Sequence, residues 1–259
     1  MADFLVTGTD TGIGKTVIAA ALVKALRAQG VRAIGFKPVE TGVEEGHVAD
    51  SERLARASAE TNPLTAPLLQ LAEPLAPAVA AERAGSSIRP QDIEERIELL
   101  RRAGYTLVVE GAGGVMVPLA WEKGVGRLFP RDRQKKPPDP FFYTVMDLAE
   151  HCGFEAIVVG RAGLGTLNHV AMTVATLRSR NIPVKAVLLN GGDYSKGDVA
   201  EATNPTALAR MLPGVLIVEV PHHDGPDVID ATVPYLRALF TLPKQPSDRE
   251  RSRSRRAGS

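Results

Sequence analysis

Two lysines and a glutamate at a strand end are the residues best placed to do chemistry in this chain. Lys15 closes the run Gly8-Thr9-Asp10-Thr11-Gly12-Ile13-Gly14-Lys15-Thr16, which follows the apolar Phe4-Leu5-Val6 and leads into a helical pattern. A strand, a glycine loop and a helix together cradle a polyphosphate. The loop's N–H groups point inward, and the positive end of the helix dipole adds to them. Gly12, Ile13, Gly14, Lys15, Thr16 and Val17 therefore form the predicted nucleotide-binding run. Lys15 reaches the outer phosphates and the Thr16 hydroxyl ligates Mg²⁺. Gly8 and Gly14 enclose five residues, where four are usual.

Lys37 stands at the end of the next strand, followed by Pro38-Val39-Glu40-Thr41-Gly42. A lysine there supplies a second positive charge where charge builds up on a transferring phosphoryl group. Glu110 ends an apolar strand and opens Gly111-Ala112-Gly113-Gly114. A lone carboxylate in that position is costly unless it meets a cation, and Mg²⁺ at Thr16 would be one. Asp50 reads equally as a third metal ligand and as an acidic residue opening a helix.

Other polar groups fall at strand ends, where ligands of open α/β sheets bind. The Asn190 amide suits the edge of adenine, but Asn190-Gly191-Gly192 is as good a turn. Thr166-Leu167-Asn168 opens a helix whose amides could receive a carboxylate, and simple capping by Thr166 serves as well. Pro221-His222-His223 follows the last strand. The adjacent histidines should point to different sides, which is poor metal geometry.

The elements that position these groups are read from periodicity. Val17, Ile18, Ala21, Leu22, Ala25 and Leu26 form a helical stripe stopped by Gly30. Strands are predicted at 31–36, 106–110, 156–160, 184–190 and 215–220. The last four are rich in Val, Ile or Leu without alternation, as in strands covered on both faces; a weaker candidate lies at 68–71. Helices are predicted over 90–103, from Thr166 to Asn181, and over 230–240, with Pro234 tolerable only near a helix start. The fold class is α/β: a doubly wound, mainly parallel sheet with helices on both faces.

Composition bounds the rest. A hydrophobic content of 44% over 259 residues supports one domain with a sizeable core, here residues 1–243. The 16 residues from Lys244 to Ser259 hold six Lys/Arg against two acids. This leaves the body at about −3, with no nucleic-acid footprint. That tail reads as disordered, either a solubilising end or a tether for something acidic. Residues 121–140 hold four prolines and six Lys/Arg against three acids, and so should form an inserted loop. A single cysteine, Cys152, excludes an intrachain disulfide and a multi-cysteine zinc site. No leader or membrane-spanning run is seen, so a cytoplasmic setting is expected.

Taken together, the motifs closely resemble the dethiobiotin synthetase family. The matching stretches run from Val6 to Thr16, Lys37 to Gly42, Glu110 to Gly114 with Val117-Pro118, Gly163 to His169, and Leu189-Asn190. They occur in the family's order, and the five-residue gap in the phosphate loop also fits. The resemblance implies an ATP- and Mg²⁺-dependent ring closure on 7,8-diaminononanoate with CO₂. It further implies that Thr16, Asp50 and Glu110 hold the metal, while Lys37 and Thr41 face the reacting end. Asn190 would read the base beside Pro221, and Gly165, Thr166, Leu167 and Asn168 would take the substrate carboxylate across a homodimer interface. Two rival P-loop classes fit less well. A ParA/MinD-like ATPase carries an early loop lysine where Thr9 and Asp10 stand. A cobyrinate-type amide synthetase needs a glutaminase domain with a nucleophilic cysteine, which Cys152 and the chain length do not provide.

Overall fold

The computed structural model describes residues 2–44, 46–60, 62–122, 141–192 and 198–240. The tail from Lys244 and most of the predicted insert, residues 123–140, lie outside the described residues.

The strands of the main sheet are β1 (Phe4–Gly8), β2 (Ala33–Phe36), β5 (Thr106–Gly114), β8 (Glu155–Arg161), β9 (Val184–Gly192) and β10 (Leu216–Pro221). They lie in the order β10-β9-β8-β1-β5-β2, and every neighbouring pair is parallel. Strand residues alternate between two apolar layers. Leu5, Leu107, Val109, Ala156 and Val158 pack into one core, and Phe4, Val6, Val108, Ile157 and Val159 into the other. Both faces are therefore hydrophobic, which is why these strands read as continuous apolar runs.

Helices α1 (Lys15–Arg27), α2 (Asp50–Ser58) and α8 (Val228–Leu236) cover one face through Ile18, Leu22, Leu54 and Leu236. Helices α4 (Pro90–Arg102), α5 (Val145–Cys152), α6 (Thr166–Ser179) and α7 (Val199–Met211) cover the other through Ile93, Leu148, Val170 and Leu208. Short β3 (Val39–Thr41) pairs with β4 (Leu69–Leu71), followed by α3 (Pro77–Arg83). β6 (Pro118–Glu122) pairs antiparallel with β7 (Phe141–Thr144).

The order of the strands locates the crevice. From β1 the chain runs out to edge strand β2, returns as β5 beside β1, and crosses to β8 on the other flank. The carboxyl end of β1 is thus the switch point where ligands of such sheets bind.

Three local expectations need correction. Gly165, in the left-handed region at φ 92°, is the residue before α6; Thr166 is already helical and makes no cap bond. The last helix starts at Val228, which puts Pro234 inside it. The missing proline N–H costs one helical bond, and Leu236, fully buried in the core, holds the helix down past it. Trp121 is in strand β6, its ring edge-to-face with Phe142 at 6.1 Å, rather than in a loop.

Candidate active site

The loop after β1 turns on glycine. Gly14 holds φ 87° before α1, and a Cβ there would stand 2.2 Å from Asn190 Nδ2. A Cβ on Gly8 would stand 2.7 Å from Ile13 Cδ1 and 2.8 Å from the Asp10 carbonyl. No side chain caps α1, and its first turn carries no acid. Its leading N–H groups are left for an incoming anion.

Lys15 folds back over the loop and donates to the Asp10 carbonyl at 3.0 Å. Burial pulls its ammonium below the ordinary lysine value, although Glu110 pulls the other way. Arg161, at the end of β8, pairs with the Asp10 carboxylate at 3.0 Å.

Thr16, Lys37, Asp50 and Glu110 come together from four elements. Thr16 Oγ1 donates to Glu110 Oε1 at 2.9 Å, and Lys37 Nζ donates to the same oxygen at 3.0 Å and also to Asp50 Oδ2. Lys37 and Glu110 are 8% and 2% exposed. Burial alone would lower Lys37, but the charges of Glu110 and Asp50 outweigh it and its pKa stands raised. Burial pushes the Glu110 carboxyl up, more than Lys37 draws it down. Asp50 is also subject to burial, yet Lys37 holds its carboxyl below the usual range.

Glu110 Oε2 is buried without a hydrogen-bond partner. An orphaned carboxylate oxygen beside a threonine hydroxyl and a second carboxylate is a donor set suited to a hard divalent cation. Among the described residues no group of three or more His, Cys, Asp or Glu could hold a metal ion. Oxygens from a bound phosphate would have to complete the shell, as is usual for Mg²⁺.

The cluster opens on a cavity of about 580 Å³, walled by Gly12, Gly14, Lys15, Thr16, Val17, Lys37, Thr41, Asp50, Glu110, Gly111, Ala112 and Gly113. Val39, Val117 and the segment from Pro74 to Pro77 add apolar wall. A second cavity of about 330 Å³ lies across the loop, lined by Ile13, Asn190, Gly191 and Pro221 together with Gly12, Gly14 and Val17. Asn190 also supports the loop, since its Nδ2 donates to the Ile13 carbonyl at 2.9 Å.

Gly165, Thr166, Leu167 and Asn168 line neither cavity. They open α6 beside Leu164, which is 93% exposed, with Met172 about two turns further on at 55%.

The sequence reading missed several wall residues. His222 and His223, expected to point to different sides, both line the smaller cavity, where their partners are Asp224 and the Tyr235 ring. Arg53, also on the larger cavity's wall, carries no motif signal beyond its helical spacing from Asp50. Glu40, 3% exposed, accepts from Ser51 N at 3.2 Å, Ser51 Oγ at 2.7 Å and Gln70 Nε2 at 3.1 Å, anchoring α2.

A parallel sheet, a glycine loop at its switch point and an uncapped helix behind that loop define a P-loop nucleotide-binding protein of the α/β class. The family described as an AAA domain matches residues 2–129 and 140–239. The ATP-dependent dethiobiotin synthetase of Anaeromyxobacter dehalogenans strain 2CP-C is 41% identical, over 82% of this chain and 86% of that protein. That of Aquifex aeolicus is 32% identical, over 92% and 98%. The chain belongs to the ATP-dependent dethiobiotin synthetase family, whose members are ligase-type enzymes. The solved MinC:MinD cell division protein complex of Aquifex aeolicus matches with a TM-score of 0.50 and 16% identity, over 100% of this chain and 97% of that one. That likeness concerns the fold alone.

Proposed function

We propose that this protein closes the ureido ring of dethiobiotin from 7,8-diaminononanoate, CO₂ and ATP, in the synthesis of biotin. The observation that carries the reading is the meeting of buried Lys37 and Glu110 with Thr16 and Asp50 on the wall of a cavity that continues past the phosphate loop. A triphosphate and an anionic acceptor repel each other, and this is where paired lysines can bring them within bonding distance.

One amine of the substrate adds to CO₂ and loses a proton, giving a carbamate. A carbamate oxygen attacks the γ-phosphorus and ADP leaves, forming a carbamic-phosphoric anhydride. The second amine then attacks the carbonyl carbon and expels phosphate, closing the cyclic urea. Lys15 and Lys37 offset the charge that gathers on the moving phosphoryl group, and Thr41 faces the carbamate end. Thr16, Asp50 and Glu110 would hold Mg²⁺, which supplies charge neutralisation when bound.

Asn190, Gly191 and Pro221 are read as the base site, because they share a cavity with the loop. Gly165–Asn168 are read as a carboxylate site for the acceptor bound by a second copy of the chain. The exposed Leu164 and Met172 beside them support a homodimer through this surface. Residues 1–243 are read as one domain in a cytoplasmic enzyme. No described helix is long and apolar enough to cross a membrane.

The test is to supply the purified protein with bicarbonate, Mg-ATP and the diamine. ADP should form only when the diamine is present, and dethiobiotin should appear in step with it. ADP release indifferent to the diamine overturns the reading.

A further inference from the structure

We propose that Arg53 is a further nucleotide-binding residue, its guanidinium taking the terminal phosphate of the bound triphosphate. The proposal rests on reading the larger cavity as the triphosphate site. It does not require the acceptor to be the diamine.

Arg53 lies in α2 one turn after Asp50, and both line the larger cavity. The other cations on that wall are already engaged, Lys37 by Glu110 and Asp50 and Lys15 by the Asp10 carbonyl. Among the described residues the Arg53 side chain forms no ion pair and donates no hydrogen bond, although its charge helps to lower the Asp50 carboxyl. It is exposed. A guanidinium with its donors free of hydrogen bonds, on the wall of an anion site, presents five of them in a fork that matches phosphate oxygens.

The helix that carries it is held firmly. Buried Glu40 clamps Ser51, the Ser58 hydroxyl accepts from Gly35 N at 3.0 Å, and a Cβ on Gly35 would stand 2.9 Å from Leu54 Cβ. Arg53 is thereby kept close to Asp50 and Lys37.

Its place selects which phosphate it meets. The inner phosphates belong under the loop amides of Gly12 to Thr16. Arg53 is absent from the smaller cavity, where Asn190 and Pro221 stand, and shares its wall with Lys37, Thr41 and Pro74–Pro77. That is the side where the chain of phosphates ends. A contact made to the terminal phosphate alone also favours triphosphate over diphosphate, and so eases release of the spent nucleotide.

The experiment compares Arg53→Ala and Arg53→Lys with the parent protein by calorimetry, using the Mg²⁺ complexes of ADP and of a β,γ-imido ATP analogue. Loss of a charge-assisted hydrogen bond should weaken the triphosphate analogue about tenfold or more in the alanine variant. ADP affinity should stay within about twofold, with lysine intermediate because it keeps the charge without the fork. Equal losses for both nucleotides, or unchanged affinity for the triphosphate, overturn the proposal. A rise in KM for the diamine with triphosphate affinity unchanged overturns it too. If the parent protein shows no diamine-dependent ADP release, the reaction is wrong, while the binding comparison still decides the role of Arg53.

Discussion

Lys37 and Thr16 share one oxygen of Glu110: Nζ lies 3.0 Å and Oγ1 2.9 Å from Oε1, while Oε2 is buried with no partner. A threonine from the phosphate loop and a lysine from the next strand are thus bound to a single strand-end carboxylate. Half of that carboxylate is left for something that is not protein. A buried polar atom without a partner is costly, and function is the usual reason one persists.

Lys37→Ala should slow turnover by about a hundredfold or more, the usual effect of removing a group that meets developing charge. Nucleotide affinity should change by less than about tenfold, because the loop amides and Lys15 remain. Steady-state rates and calorimetry on the same preparation check both numbers. Unchanged turnover would take Lys37 out of the mechanism.

Glu110→Gln keeps the side chain's shape and its acceptor for Thr16 and Lys37, but removes the charge. Nucleotide binding should then respond to Mg²⁺ only at concentrations raised about tenfold or more. A Mg²⁺ titration of nucleotide affinity identical to that of the parent protein would exclude Glu110 as a ligand.

Gly14→Ala places a methyl group 2.2 Å from the Asn190 amide at a backbone φ of 87°. Left-handed backbone alone costs an alanine about 1–2 kcal/mol. The Asn190 amide has to swing aside as well, which breaks its bond to the Ile13 carbonyl and removes a support of the loop. Nucleotide binding should be lost while circular dichroism still reports a folded sheet. Retained binding would mean that the loop and Asn190 can separate freely.

Ser51→Ala leaves the buried Glu40 carboxylate with Gln70 and a lone backbone N–H. Loss of one hydrogen bond to a buried charged group costs about 1.5–3 kcal/mol, a drop of several degrees in melting temperature. Scanning calorimetry measures it, and an unchanged midpoint would show that α2 is held by its apolar face alone.

Burial pushes the Cys152 thiol up to about 12, from an ordinary value of 9.0. A raised native pKa means that its contribution to stability is complete below about pH 9 and is withdrawn as pH climbs toward 12. Iodoacetamide should therefore label the native protein slowly at pH 8 and the urea-unfolded chain quickly. Equally fast labelling of both would contradict the burial.

Much of this arrangement was legible in the residues. Leu5, Val108 and Ile157 belong to strands with an apolar core on each side, so the six main strands stand out in the sequence. The meeting of Thr16, Lys37 and Glu110 was legible because each stands at the end of such a strand or in the glycine loop, whereas Asp50 opens a helix and its place in the sequence left its role open. Helix α7 was not, since only Asn204 and Leu208 are buried on it and Pro205 interrupts its pattern. Helix α2 hides behind its own charge, with one leucine among Asp50, Glu52, Arg53 and Arg56. The pairing of β6 with β7 depends on contacts across the basic insert, a separation that local pattern does not encode. The convergence of His222 and His223 on the smaller cavity has no local signature either, since adjacent residues read as pointing apart.

Gly12, Gly14 and Val17 border both cavities, so a single ridge of backbone is the far wall of one chamber and the near wall of the other. Substitutions on that ridge alter both chambers together, because neither can be reshaped from there alone. An engineer who wants to reshape one chamber and spare the other has to work from the opposite bank. Pro221, His222, His223 and Val228 touch only the smaller chamber.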